Sequence, residues 1–410
     1  MLPKLIRTST IPISLNVLLK GQLRFLNKTF QVIGVSGNGK DLLDVKSREG
    51  IQTEVVEMKR NISPFHDIVS LFKLYILFKK EKPIIVHSIT PKAGLLSMLA
   101  AKAAGVPVRM HTFTGLIFPT QTGILKQILI KTDQLLCWAA THVYPEGNGV
   151  RNDLLAYAIT SKPLKVLANG NVNGVDLDYY TISQVSNEQK TSIKESLQIE
   201  PDDFVFVFVG RLVADKGINE LIAAFKRLDE LVNKNNNSAT CDKTLKIDFK
   251  NSEKIKPGSV KLLLVGAFEH ELDPLQKDTL LEINTNKNII SVGFQSDVRS
   301  YLALSDVFVF PSYREGFPNV VLQAGAMELP CIVTNINGSN EIIEDQFNGF
   351  IIEAKNQKVL FEIMSDIINN QSQLQPMKFN ARKQIEEKFE QSIVWKALLA
   401  EYNNVLTFQF

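Results

Sequence analysis

Short apolar runs alternate with longer mixed stretches through the first 170 residues of the chain. The short runs indicate buried strands, and the mixed stretches between them indicate helices. Strands that alternate with helices predict a mostly parallel sheet covered on both faces. The predicted strands of this series lie at 4–9, 31–36, 53–58, 83–89, 107–113, 141–145 and 163–168.

A second series of strands begins at residue 204, and a chain of 410 residues is long enough for two domains. We therefore predict an α/β protein with two doubly wound, Rossmann-like domains that face each other across a cleft at the carboxyl edges of their sheets. The predicted domains are 1–172 and 173–389, and a polar insertion at 233–259 is expected to be a surface loop. The further strands of the second series are predicted at 260–266, 288–293, 306–310, 331–334 and 349–352.

The segment SYREGFPNVVLQAGA at 312–326 carries unusual polar groups between a strand and a helix. The apolar run DVFVFP ends just before it, and Pro318 suits the first turn of the helix that follows. The amino terminus of a helix offers unpaired N–H groups and partial positive charge, which suit phosphate or sugar oxygens. Glu315 can accept hydrogen bonds from ligand hydroxyl groups, and Gly316 allows a ligand to approach the backbone. A helix with an acidic first turn is the alternative for this segment alone.

The segment FVFVFVGRLVADKGINELIAAF at 204–225 predicts a buried strand, a glycine turn and a helix. Arg211 and Lys216 stand in the turn, where two cations can hold a diphosphate from different sides. Together with Glu315 on the same side of a parallel sheet, they predict a site for a nucleoside diphosphate.

These two segments resemble the donor site of family 4 retaining glycosyltransferases of the GT-B fold. The motifs that carry the resemblance are GRLVADKG, REGFPNVVLQAGAMELP, SVGFQSDVRSYLALSDVFVFPS at 291–312 and NGNVNGVD at 169–176. The resemblance implies transfer of a sugar from a nucleotide diphospho-sugar, with retained anomeric configuration, no metal and no cofactor. It also implies that a C-terminal helix, 390–410, packs back onto the first domain.

The donor contacts expected from these motifs centre on Arg211, Lys216 and Glu315 as the catalytic residues. Gln323 stands where the family usually has a second glutamate that holds the ribose, so ribose binding is expected to be weaker or altered. The other residues expected to contact the donor are Gly210, Gly266, Phe294, Gln295, Gly316, Phe317, Pro318 and Asn319.

The first domain offers fewer candidates, and they belong to the acceptor side. Relatives commonly carry a histidine directly before the glycine at position 115, where this chain has Thr114. His111 either meets substrate there or is a hydrogen-bonded structural residue. Lys92 begins a helix and is a candidate for an acceptor phosphate. The remaining acceptor-side candidates are Thr10, Ser14 and Gly115, with Thr10 and Ser14 in a loop where many relatives have paired glycines.

Charge is divided unequally along the chain. Residues 1–180 hold 22 Lys and Arg against 12 Asp and Glu, a net charge of +10, and the remainder has a net charge of −7. A basic first half favours an anionic partner such as a lipid surface or a phosphate-bearing acceptor. The stretch 68–80, IVSLFKLYILFKK, either lies in a membrane interface or covers the sheet with its apolar face. No nucleic-acid-binding signature accompanies the basic residues.

The expected location is the cytoplasm, with peripheral association to the inner face of the cytoplasmic membrane. The sequence contains no long apolar run typical of a membrane span, and its three cysteines fit no metal-ligand spacing and are expected to be free thiols. The expected substrates are a nucleotide sugar, with UDP favoured, and a lipid-linked saccharide for surface polysaccharide biosynthesis. A sugar-nucleotide epimerase and a nucleotide-sugar-binding protein without activity are the alternatives.

Overall fold

The structure of the protein is a computed structural model that describes residues 2–59, 61, 63–237, 259–269 and 273–407. The chain forms two compact units, Met1–Gly174 with Gln391–Phe410, and Val175–Glu390. The predicted boundary between 172 and 173 lies two residues before the division in the structure. Most of the polar insertion at 233–259, together with Cys241, lies outside the described residues.

Each unit contains a parallel sheet of six strands. The strand orders are β3-β2-β1-β4-β5-β6 and β12-β11-β10-β7-β8-β9, so the second sheet repeats the order of the first when read from its other edge. Chain order reverses beside β1 in one sheet and beside β7 in the other, as in a doubly wound dinucleotide-binding fold. The strands are β1 Lys4–Thr8, β2 Gln31–Ser36, β3 Gln52–Val55, β4 Ile85–Ser88, β5 Val108–Phe113, β6 His142–Pro145, β7 Phe204–Val209, β8 Val260–Val265, β9 Ile289–Gly293, β10 Val307–Phe310, β11 Cys331–Thr334 and β12 Gly349–Ile352.

Helices connect these strands in both units. The helices are α1 Pro12–Leu18, α2 Gln22–Leu26, α3 Lys40–Glu49, α4 Pro64–Glu81, α5 Pro91–Ala104, α6 Gly123–Ala139, α7 Asn148–Ala156, α8 Asn187–Ser196, α9 Ile218–Asn237, α10 Lys277–Thr285, α11 Arg299–Ala303, α12 Asn319–Ala326, α13 Ser339–Ile342, α14 Gln357–Asn369, α15 Leu374–Lys388 and α16 Gln391–Thr407. Among the described residues, no helix has the length and apolar character needed to cross a bilayer.

The first sheet separates two layers of apolar core because neighbouring strand residues point to opposite faces. Along β1, Leu5 joins a cluster with residues of α1, α2, α3 and α16, whereas Ile6 joins a cluster with residues of α4, α5 and α6. Val32 and Ile33 of β2 divide in the same way. The helices therefore cover both faces, which explains why the strands are nearly continuous apolar runs.

The C-terminal helix α16 belongs to the first unit. The hydroxyl of Tyr402 accepts a hydrogen bond of 2.8 Å from Arg7 Nη1 of β1, and Glu401 accepts one of 3.0 Å from the Tyr144 hydroxyl of β6. Trp395 donates its indole N–H to Asn173 Oδ1 at 2.8 Å. Because these partners are distant in sequence, α16 holds several strands and the end of the first segment together.

The prediction of two doubly wound α/β domains is confirmed, and twelve of the expected strand positions coincide with the strands given above. The strand predicted at 163–168 is wrong. That segment makes only isolated bridges, between Val143 and Leu164 and between Ala168 and Gly170. Pro163 and Lys165 interrupt the apolar pattern there, and Lys165 instead forms an ion pair with Glu401. Pro318 precedes the first helical residue of α12 rather than lying within its first turn.

Candidate functional site

The turn between β7 and α9 brings Lys216 to the carboxyl edge of the second sheet. Residues Ala214–Lys216 form a single 3-10 turn, and Gly217 ends it with a φ of 71°. A Cβ atom at Gly217 would overlap the carbonyl oxygen of Pro311, which follows β10. Glycine is therefore required both for the left-handed backbone and for the close contact. This contact places the β7–α9 turn directly against the segment that carries Glu315.

Lys216 and Glu315 form an ion pair in which Lys216 Nζ donates to Glu315 Oε1. The Ser312 hydroxyl donates to the same carboxylate oxygen at 2.8 Å, which fixes the orientation of the carboxylate. Both charged side chains are only slightly exposed, so their attraction is screened less than that of a surface pair. An ammonium group has three protons, and Lys216 can therefore donate to a ligand phosphate while it remains bound to Glu315.

Arg211 lies nearer to the solvent than Lys216. Its Nη1 atom is 2.6 Å from Glu269 Oε2, and both side chains are well exposed. An exposed ion pair of this kind contributes little to stability, so exchange of Glu269 for a phosphate costs little. Arg211 is consequently available to a diphosphate at the same edge as Lys216.

The amino terminus of α12 forms the next part of this edge. Gly338, at the start of α13, has a φ of 75°, and a Cβ atom there would overlap Gly316 and crowd Phe317 and Pro318. Pro318, the residue before α12, makes no side-chain cap hydrogen bond, and the amino terminus of a helix suits a ligand oxygen. Gln323 follows Asn319 by one turn on the same helix face and points back toward that terminus.

Gly210 and Gly266 lie against each other at the ends of β7 and β8. A Cβ atom at Gly266 would overlap the carbonyl oxygen of Gly210, so close packing of the two backbones accounts for this glycine. Phe294 follows β9 and is strongly exposed, and Gln295 donates its side-chain amide to Val292 at 2.8 Å. The structure therefore places these residues at the carboxyl ends of neighbouring strands, and their donor contacts remain predictions.

Asp215, Ser312, Gly217 and Gly338 position this site, and sequence reasoning did not assign them to it. The backbone N–H of Tyr313 donates to the Asp215 carbonyl at 2.8 Å, which joins the two loops. The sequence does contain a local signal for Gly217, because a glycine directly after a predicted turn favours a left-handed backbone conformation. The role of Ser312 depends on a tertiary contact and had no local signal.

The acceptor-side candidates of the first unit bond to other residues of that unit. The Thr10 N–H donates to Thr90 Oγ1 at 2.8 Å, and Thr10 Oγ1 accepts from the Ala93 N–H at 3.1 Å. Thr114 donates its hydroxyl to the Ile89 carbonyl at 2.9 Å. Ser14 lies in the first turn of α1, and Gly115 follows β5 with a φ of 116°. Hydroxyl groups therefore tie the loop after β1 to the start of α5, whereas glycines in this loop would lack these side-chain hydrogen bonds.

His111 and Lys92, the other two acceptor-side candidates, have partners inside the first unit. His111 is buried, its Nδ1 lies 2.8 Å from the Ser88 hydroxyl, and its ring fills the space beside Gly94. Burial lowers the pKa of the His111 imidazole to about 3, so the ring is neutral at physiological pH. Lys92 forms an ion pair of 2.9 Å with Asp67 of α4. His111 therefore fits the structural alternative, and Lys92 links α4 to α5 while its contact with an acceptor phosphate stays a prediction.

Two family models match the chain. The model described as glycosyl transferases group 1 matches residues 189–384, and the model described as glycosyl transferase 4-like matches residues 15–145. The capsular polysaccharide biosynthesis glycosyltransferase CapM of Staphylococcus aureus is 33% identical over 95% of this chain and 94% of its own length. This chain belongs to the glycosyl transferase group 1 family. The resemblance seen in the motifs at 204–225 and 312–326 is thereby confirmed.

A second relative and a solved structure extend the comparison. The UDP-Gal:alpha-D-GlcNAc-diphosphoundecaprenol alpha-1,3-galactosyltransferase of Escherichia coli is 32% identical over 72% of this chain and 68% of its own length. The crystal structure of Anabaena HepE in complex with UDP has a TM-score of 0.76 at 16% identity and covers 98% of this chain and 100% of that chain. The chain thus has the GT-B fold, and the relatives favour sugar transfer over the epimerase alternative.

Proposed function

We propose that this glycosyltransferase moves a sugar from a UDP-sugar to a lipid-diphosphate-linked saccharide during the synthesis of a surface polysaccharide. The observation that carries the proposal is the ion pair of Lys216 with Glu315 at the carboxyl edge of the second sheet, with Arg211 in the same segment between β7 and α9 and the start of α12 shortly after Glu315. The name of the Staphylococcus relative supports a role in polysaccharide synthesis, and that of the Escherichia relative supports a lipid-linked acceptor. The Anabaena structure in complex with UDP supports a uridine nucleotide.

The cations at this edge suit the departure of a nucleoside diphosphate. As the bond between the anomeric carbon and the diphosphate breaks, negative charge grows on the diphosphate. Arg211, Lys216 and the N–H groups at the start of α12 would stabilise that charge in a transition state. Glu315, held by Ser312, would accept hydrogen bonds from hydroxyl groups of the transferred sugar.

We further propose retention of the anomeric configuration and no requirement for a metal. The acceptor hydroxyl attacks the anomeric carbon on the face that the diphosphate leaves, and its proton passes to the departing phosphate oxygen. Two cations and a helix terminus supply the electrostatic stabilisation that a metal ion provides in other transferases. No protein carboxylate has to form a covalent bond to the sugar in this mechanism, unlike the double displacement of retaining glycosidases.

The test is a transfer assay with UDP-sugars and a short polyprenyl-diphosphate-linked sugar. We expect UDP release that depends on the acceptor, a product whose proton NMR coupling shows the α anomer, and a rate within about twofold of the untreated rate in excess EDTA. Acceptor-independent conversion of the donor sugar would instead show an epimerase. An inverted product, or a loss in EDTA that Mg²⁺ or Mn²⁺ restores, would contradict the mechanism.

A further inference from the structure

The outward side of α4 is apolar, although its inward side already supplies the core. Leu74 and Phe78 are buried against the sheet. On the opposite side, Phe65 is 86% exposed and Phe72 is 61% exposed. These two residues continue with Ile68 and Ile76 as a single stripe, because spacings of three and four residues return to the same helix face. The two interpretations of the stretch 68–80, core helix or interfacial helix, are therefore compatible.

Helix α6 repeats this arrangement on the same side of the sheet. Ile124 is 81% exposed and Trp138 is 60% exposed, with Ile128 and Leu135 between them on one face. Helix α5 lies between α4 and α6 and packs against both. Its Leu95 and Leu99 are half-buried on the side away from the sheet. We call the exposed apolar residues of α4 and α6, together with the half-buried Leu95 and Leu99 of α5 between them, the apolar outer face.

Positive charge borders the apolar outer face, and the acidic residues of α4 and α6 are neutralised or buried. Lys73 and Lys80 are exposed beside the α4 stripe, Lys79 is exposed at its C-terminal end, and Lys131 is exposed within the α6 stripe. Asp67 is paired with Lys92, and Glu81 is paired with Lys4 at 2.8 Å. Asp133 lies on the opposite side of α6 from the stripe, and burial raises the pKa of its carboxyl to about 7.

This combination matches an anionic bilayer better than a second copy of the chain. Apolar stripes with flanking lysines are typical of helices that lie in a membrane interface, where lysines meet anionic headgroups. A twofold dimer through this face would bring the same surface, with its lysines, against itself. Charge complementarity therefore selects the membrane.

We propose that the apolar outer face docks this glycosyltransferase onto an anionic bilayer, with the α4 and α6 stripes inserted among the headgroups. The proposal deepens the proposed function, on which it rests for the lipid-linked acceptor. Helices α4, α5 and α6 follow the carboxyl ends of β3, β4 and β5 in the chain. The docked face thus extends to the sheet edge that carries Thr10, Thr114 and the other acceptor-side candidates.

Vesicle sedimentation tests the proposal with the full-length protein. We expect binding to phosphatidylcholine vesicles with one quarter phosphatidylglycerol at low ionic strength, and weaker binding as salt rises. The double variant Phe72→Ser with Ile76→Ser should bind vesicles at least about tenfold more weakly than the wild type, because it removes two inserted side chains. Phe379→Ser is the matched control, since Phe379 is 67% exposed on α15, and it should bind like the wild type.

A charge variant separates headgroup attraction from insertion. The triple variant Lys73→Gln, Lys79→Gln and Lys80→Gln should lose the preference for phosphatidylglycerol. Its matched control is Lys277→Gln, Lys358→Gln and Lys383→Gln, which changes the same number of exposed lysines in the second unit. UDP affinity, measured by calorimetry, should be equal in all variants, so that loss of vesicle binding is distinguished from failure of the donor site.

Tryptophan fluorescence locates the contact. The chain has two tryptophans, and Trp395 is the one bonded inside the first unit. In Trp395→Phe, emission from Trp138 should shift to shorter wavelength on vesicle binding and be quenched by brominated lipid. Wild-type protein that stays unbound at low salt would overturn the proposal, as would unchanged binding of the Phe72 and Ile76 variant. A wild-type dimer that this variant converts to a monomer, without vesicle binding in either, would assign the face to a second copy.

Discussion

The two sheets of this glycosyltransferase share a strand order but differ in the chemistry at their carboxyl edges. In the second unit, Lys216 and Glu315 meet at the edge, and Arg211 lies exposed in the same segment between β7 and α9. In the first unit, the side chains at the same edge are mostly neutral or internally paired, as Thr10 with Thr90, and Lys92 with Asp67, show. The comparison teaches that topology provides a binding edge in both units, whereas side chains decide that the second edge suits a diphosphate.

The largest expected effect comes from removing the cations of the second edge. Lys216→Ala or Arg211→Ala should reduce kcat by about 10²-fold or more with saturating donor, because each cation stabilises charge that develops in the transition state. Lys226→Ala is the matched control, since Lys226 lies two to three turns into α9 and forms an exposed pair with Glu282. Turnover near the wild-type rate in both Lys216→Ala and Arg211→Ala would show that these cations do not make the second edge a diphosphate site.

The buried histidine of the first edge should make stability depend on pH. Burial holds the His111 pKa at about 3 in the folded protein, whereas an unfolded histidine titrates near 6.5. The unfolded chain therefore takes up the proton first as pH falls, and stability present above about pH 6.5 is lost toward pH 3. From pH 7 to 5, His111 should lower the free energy of unfolding by about 2 kcal/mol.

Urea denaturation at pH 7 and pH 5 measures this loss for the wild type and for His111→Gln. The variant should be less stable at pH 7 but should lose about 2 kcal/mol less on acidification. Equal pH dependence in the two proteins would show that His111 titrates normally, and would return it to the list of solvent-accessible candidates for acceptor contact.

Gln323→Glu tests whether position 323, at the carboxyl edge of the second sheet, contacts the ribose. If position 323 contacts the ribose, a carboxylate should accept stronger hydrogen bonds from its hydroxyls and lower the Kd for UDP about tenfold. Calorimetry with UDP and 2′-deoxy-UDP gives the measurement, and the deoxy nucleotide should gain less. Equal affinities for both nucleotides in both proteins would exclude ribose contact at position 323.

The smallest effect is expected for Lys92→Ala. Loss of its partly buried pair with Asp67 should lower the free energy of unfolding by about 1 kcal/mol and leave kcat and the acceptor KM within about twofold. Lys92→Arg, which keeps the charge, should restore most of the stability. A tenfold rise in the acceptor KM without loss of stability would place Lys92 at the acceptor and weaken the contrast between the edges.

Local sequence was sufficient to predict most strands and the segments that carry the second edge. Strands such as FVFVFV at 204–209 are apolar throughout because helices cover both faces of their sheet. The segment 163–168 was mispredicted because a short apolar pattern does not reveal whether a neighbouring strand is available for pairing. The pairing of Lys216 with Glu315 could be anticipated only as a shared sheet edge, since 99 positions separate the two residues.

The sequence alone determined the two-domain α/β organisation, the charge asymmetry and the residue types at the carboxyl edge of the second sheet. These properties depend on local periodicity, on composition and on motifs of adjacent residues. Tertiary structure decided that Ser312 orients Glu315, that His111 is buried and that Lys92 is paired with Asp67. It also decided that the second apolar stripe of α4 is exposed. These properties depend on which distant residues pack together, and packing alone sets the burial, hydrogen bonding and pKa of a side chain.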